Sequence, residues 1–123
     1  MSQQVFVAGV GMIPFAKPGA SEPYDQMGAA ATVDALADAG VAYPDVQQAY
    51  VGYVYGDSTA GQKALYRVGM TGIPVFNVNN NCSTGSTALF LARQAIESGA
   101  VDCALALGFE QMAPGALGTH FND

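Results

Sequence analysis

A parallel α/β fold is what this sequence predicts: a mostly parallel sheet covered by helices, in the order βαβαβαβ. Three observations point there. Short apolar, β-branched runs alternate along the chain with longer stretches of helical spacing. Glycine and proline sit at the joints between them. Half of the 123 residues are apolar and only 11% are charged, a composition rich in core and poor in solvated surface. The length allows one domain or part of one. So little charge suits a chain that packs against something large or belongs to a larger body.

Each element has its own justification. Val5–Val10 (VFVAGV) is an apolar run closed by Gly11, the pattern of a buried strand. Tyr24–Ala39 has helical spacing, with Met27, Ala30, Ala31, Val33, Leu36 and Ala37 near one side and Asp25, Asp34 and Asp38 elsewhere. Gly40 stands where a helix stop belongs. Ala49–Tyr55 is rich in Val and Tyr and reads as a second strand. Ser58 or Thr59 can cap a short helix running to about Val68, ended by Gly69 and Gly72. Val75–Val78 is a third strand, Ser83–Ser98 a third helix and Ala104–Phe109 a fourth strand. From Met112 the chain reads as loop.

Composition removes several functions. A formal charge of −6 with only four basic residues argues against nucleic-acid binding, which needs clustered Lys and Arg to neutralise phosphates. No apolar run approaches the roughly 18 residues of a membrane span. The N-terminus has no basic leader, and Pro14 and Pro18 interrupt its apolar stretch. The expectation is an intracellular protein, with Cys82 and Cys103 reduced rather than joined.

Chemistry in parallel α/β folds collects where strands pass into helices. Gly9-Val10-Gly11 opens like a dinucleotide fingerprint, but the third glycine is missing and Pro14 falls where the phosphate-binding helix should begin. Gly56 to Lys63 (GDSTAGQK) looks like a phosphate loop with Gln62 in the lysine position, so its reason is gone. Asn79 to Cys82 differs. Asparagine tolerates left-handed turns, so Asn79, Asn80 and Asn81 can carry a sharp bend. Cys82 then stands at the first turn of a helix, where unpaired amides and the dipole favour a thiolate. The dipole contributes roughly 0.3–1 kcal/mol and up to about 2, about one pKa unit. A nucleophile so placed still needs a separate base. Beyond it Gly85, Ala88, Ala92, Ala95 and Gly99 form a stripe of tiny residues, suited to close approach by neighbouring backbone. From residue chemistry alone, an activated nucleophile and a buried core cysteine are equally open.

VNNNCSTGSTALFLARQAIESG, preceded by VGYVYGDSTAGQ and MTGIPVFNVNNNC and followed by LALGFEQM, resembles the N-terminal part of thiolases of the sterol-carrier-protein and lipid-transfer-protein type. The likeness runs from VFVAGVGM to the Gly118–Asp123 tail. It implies two similar halves stacked with helices between them, of which residues 1–123 match an incomplete first half lacking its last strand, the loop domain and the second half. It implies Cys82 as the catalytic nucleophile, attacking a 3-ketoacyl-CoA, forming an acyl-thioester enzyme and passing the shortened chain to coenzyme A. Coenzyme A would be a co-substrate, with no bound cofactor and no metal. The partners would be acyl-CoA and CoA, with a homodimer or higher homo-oligomer joined through Val75–Val78. Without the second half, the small-residue face of the Ser83–Ser98 helix would be left in water, an exposed apolar patch. The compartment would be the cytoplasm, or the peroxisome in a eukaryote.

The family also needs a histidine in a Gly-His-Pro segment and a second cysteine in a Cys-x-Gly segment. Neither is here: His120 lies between Thr119 and Phe121, and Cys103 follows Asp102 and opens a strand as a core thiol. The chain alone is therefore expected to be inactive. Other readings are the steroid side-chain retro-aldolase branch of the family, which does not rely on this thiol, and a non-catalytic lipid or acyl-CoA binding or assembly module.

Overall fold

The computed structural model describes residues 3–114 and 118. Its elements are α1 (Tyr24–Ala39), a single 3₁₀ turn (Tyr43–Asp45), β1 (Gln48–Gly52), α2 (Ala60–Tyr66), β2 (Val75–Val78), α3 (Thr84–Glu97) and β3 (Ala104–Gly108). The three strands form one parallel sheet in the order β2-β1-β3. The register sets Ala49 between Val75 and Leu105, and Gly52 between Val78 and Gly108. The expected class, a parallel sheet flanked by helices, stands.

Strand order decides where the helices lie. The chain steps one way from β1 to β2, then back across β1 to β3. Two right-handed crossovers in opposite directions put α2 and α3 on opposite faces. Successive strand residues face opposite sides, and accordingly Val51 meets α2 at Gly61 whereas Gly52 meets α3 at Thr84. α1 shares the α2 face, with Gly28 against Ala64. The core is Tyr43, Val46, Ala49, Val51, Leu65, Leu105 and Leu107. Among the described residues no helix is long and apolar enough to cross a membrane.

Three expectations need correction. Val5–Val10 is not a strand of the sheet. Its ends are tied instead to the two helix layers: Gln3 N–H donates to the Glu97 carbonyl (3.3 Å) and Val10 N–H to Asp38 Oδ2 (2.8 Å). Gly9 and Gly11 lie so close to α1 that any Cβ there would strike the helix around Ala31, Ala35 and Ala39. Phe6 and Val10 stay 78% and 68% exposed. An apolar groove of about 730 Å³ separates this segment from the free edge of β3, walled by α1 (Met27, Ala31, Ala35) and α3 (Leu89, Ile96). An apolar run becomes a strand only where a ladder partner is within reach, and here glycine contacts with a helix hold it instead.

The second correction concerns α1. Its most buried residues are Asp25, Gly28 and Thr32, while Val33 is 51% exposed. Gly28 allows α2 to approach closely, and Asp25 follows it inward because Arg67, just past α2, supplies a partner at 2.6 Å. The third concerns α3. Its small-residue face is not left open: Ala88, Ala92 and Ala95 are buried, because they let the helix lie flat on β1 and β3. The exposed face carries Leu89 and Phe90. The remaining differences are at element ends. β1 stops at Gly52 and β3 at Gly108. α2 starts after Thr59, which is left-handed (φ 62°) and turns its hydroxyl to the Ser58 carbonyl instead of capping.

Candidate active site

β1 and β2 are neighbours whose outgoing connections lead to opposite faces, and parallel α/β folds place their ligand sites beyond the C-terminal ends of such strands. The segments that leave those ends are the β1–α2 loop (residues 53–59) and the turn Asn79–Ser83.

The asparagine run builds that turn. Asn79 Oδ1 accepts the Asn81 N–H at 3.0 Å, and Asn81 takes the left-handed conformation (φ 50°) that its short amide side chain tolerates. Thr84, buried at the start of α3, locks the bend from below: its Oγ1 accepts the Asn80 N–H (2.8 Å) and donates to the Asn81 carbonyl (2.6 Å). Asn80 Nδ2 donates to Thr87 Oγ1 (3.1 Å), and Ser83 Oγ donates back to the Asn80 carbonyl (2.8 Å). The side chains of Asn79, Asn80, Ser83 and Thr84 are thus spent on shaping the turn. Cys82 emerges from it as a free, exposed thiol, immediately before the N-cap Ser83. It lies one residue outside the helix rather than within its first turn.

Cys103 differs in every respect. It precedes β3 rather than opening it, is half-buried, and sits at the N-terminal edge of the sheet, opposite Cys82. Burial, helped by the negative Asp45, pushes its thiol above the ordinary cysteine value. Both thiols are free, as expected. Among the described residues no three His, Cys, Asp or Glu side chains gather as a metal site. His120 lies outside the described residues.

The other motifs resolve into packing. Gly9 and Gly11 serve contact with α1, and Lys63 of the phosphate-loop lookalike lies over the Tyr24 ring, 5.2 Å from its centre.

Sequence reasoning missed what seats the turn. A Cβ on Gly52 would come within 2.5 Å of Thr84 Cγ2 and 2.8 Å of the Thr84 carbonyl oxygen, so only glycine lets α3 begin so close to β1. Gly108, its partner on β3, faces Gly85 on the same turn. A glycine inside each apolar run was the available signal, since strand glycines often mark close backbone approach. Asn77 ties β2 to α2. Its Oδ1 accepts the Gly61 N–H (2.8 Å) and its Nδ2 donates to Gln62 Oε1 (2.7 Å). Nothing local in the sequence announces that long-range pairing.

Residues 5–120 match the family described as "Thiolase, N-terminal domain". The chain is 59% identical to sterol carrier protein 2 of Gallus gallus over its whole length, spanning 23% of that protein. It is 35% identical to the benzoylsuccinyl-CoA thiolase subunit BbsB of Thauera aromatica, over 89% of this chain and 29% of that one. Among solved structures, 3-oxoacyl-[acyl-carrier-protein] synthase III of Aquifex aeolicus superposes with a TM-score of 0.70 at 18% identity, over 77% of this chain and 32% of that one, a likeness of fold. The match across nearly the whole sequence leads to one conclusion: the chain belongs to the thiolase N-terminal domain family.

Proposed function

We propose that the longer protein to which this chain corresponds carries out thiolytic acyl transfer on 3-ketoacyl-CoA, with Cys82 as nucleophile. The observation that carries the reading is the placement of Cys82: exposed, on a left-handed turn, at the N-terminal end of α3 and beyond the C-terminal end of β2. The thiolate adds to the 3-keto carbon, the C2–C3 bond breaks, and the C2 carbanion takes a proton and leaves as acetyl-CoA. CoA thiolate then displaces the acyl group from sulfur, restoring the cysteine. Thioester exchange suits this because bonds of nearly equal energy are made and broken, and one sulfur serves both half-steps. The base that completes activation comes, in this reading, from the half of the protein that this chain does not include.

The test uses the longer protein and acetoacetyl-CoA. Cys82→Ala should abolish thiolysis, and brief incubation of the unaltered protein with substrate should leave an acyl mass on the Cys82 peptide. Full thiolysis by Cys82→Ala would overturn the proposal. Loss of thiolysis with aldol cleavage of steroid side-chain CoA thioesters retained would move it to the retro-aldolase branch. The same reading makes the protein a homodimer joined through β2, which is an edge strand.

A further inference from the structure

Beyond β3 a single carboxylate continues the sheet by other means. The β1 ladder ends where Tyr53 N–H donates to the Val78 carbonyl (3.3 Å) and Phe109 N–H to the Gly52 carbonyl (3.2 Å). The next two donors on the β1 side are the amides of Val54 and Tyr55, and both turn to Glu110: Val54 N–H to Oε2 (2.9 Å) and Tyr55 N–H to Oε1 (3.2 Å). In an extended chain successive amides point to opposite sides. Two adjacent amides converging on one anion therefore require the bend that residues 54–56 show. Carboxylate acceptors make stronger bonds to amides than neutral ones do. The loop is pinned at its other end by Tyr53, whose hydroxyl donates to the Asp57 carbonyl (2.8 Å) and accepts the Ala60 N–H (3.2 Å). Phe109, next to Glu110, stacks between Tyr24 and Tyr53 with ring centres 5.3 Å apart on each side, which fixes the backbone that carries the carboxylate.

This loop leaves β1 at the same end of the sheet as the Cys82 turn, and Gly52 just upstream of it seats Thr84. Thr84 in turn holds Asn80 and Asn81. We propose that Glu110 is a positioning residue for the Cys82 site: by clamping the exit of β1 it fixes that loop and, through Gly52 and Thr84, the turn that carries the thiol. The proposal rests on Cys82 being the working residue, and it names a residue for which no chemical step calls.

The test is alkylation of this chain by iodoacetamide, followed at Cys82 and Cys103 separately by peptide mass spectrometry across a pH series. Glu110→Ala should slow Cys82 alkylation about two- to tenfold, the span set by one or two lost hydrogen bonds. Cys82 is already exposed, so loosening the turn gains it no access and costs it alignment with α3. Glu110→Gln keeps one amide-accepting oxygen and should restore most of the rate. Cys103, at the opposite edge of the sheet, should be unaffected. Hydrogen exchange gives a second readout, independent of thiol chemistry: Glu110→Ala should speed exchange in residues 53–57 and also in 79–83. An unchanged Cys82 profile together with unchanged exchange at 79–83 would overturn the proposal, as would equal changes at both cysteines, which mean general destabilisation. A Cys82 inert in the unaltered chain would count against the nucleophile reading, while the exchange pattern would still decide the role of Glu110.

Discussion

At Cys82 and Cys103 the same side chain meets opposite surroundings, and reactivity should follow. Iodoacetamide should label Cys82 first, since its thiol is exposed while Cys103 is half-buried and burial raises its thiol; mass mapping that finds Cys103 labelled first would reject the assignment. Gly52 makes an equally local claim. Gly52→Ala drives a methyl into Thr84 and should cost about 1–3 kcal/mol in urea unfolding. Gly108→Ala, whose Cβ would meet Gly85 Cα at an ordinary 3.6 Å, should cost clearly less. Asp25 supplies the pH dependence. The hydrogen bond from Arg67 holds its carboxyl below the usual carboxylate value against the opposing pull of burial. A folded pKa below the unfolded one means stability that is present above the unfolded value, about 3.9, and is lost as pH falls from there through the folded value. The urea midpoint should therefore drop below about pH 4, and Asp25→Asn should lower stability at neutral pH and flatten that part of the acid slope. An unchanged slope in Asp25→Asn would show that other carboxylates carry it.

Elements were legible where the signal is local. Tyr24–Ala39 and Val75–Val78 could be read to the residue, because a proline precedes each and a left-handed glycine or an asparagine turn ends it. The turn that presents Cys82 was legible for the same reason, asparagine being its own signal. What could not be read depends on partners far along the chain. Val5–Val10 has the composition of a strand, yet its neighbours are α1 and α3. The inward face of α1 is set by Arg67, 42 residues away. Glu110 and Asn77 act on amides that no spacing rule connects to them. β2 offers a test of edge pairing. Residues of one strand point their N–H and C=O the same way, and the carbonyls of Pro74 and Val78 accept from Ala49 and Tyr53 of the β1 side. Even-numbered residues thus face β1, while Val75 and Asn77 face the open edge. Phe76→Pro should break the sheet itself and lower thermal stability sharply. Val75→Pro should leave the fold intact and only weaken self-association, read by light scattering. Equal effects of the two substitutions would remove the case for a β2 interface.

Over the whole molecule the layered plan holds while its surface is unusually apolar. Phe6, Met12, Phe15, Leu89 and Phe90 are each more than half exposed, and the groove beside β3 joins several of them. Surface of that kind binds fluorescent hydrophobic dyes even when secondary structure is complete. Anilinonaphthalene sulfonate should therefore brighten with this chain under native conditions, and dye left dark would mean that the groove is covered. The sheet ends at β2 on one side and at β3 on the other, and these two rims are different surfaces. Pairing β2 with β2 closes after two copies. Pairing the β2 rim of one copy with the β3 rim of the next never closes, and each addition exposes a fresh rim for another. The same small sheet can therefore end as a discrete pair or as an open-ended fibre, and rising concentration selects the fibre unless a further strand or another protein seals the β3 side.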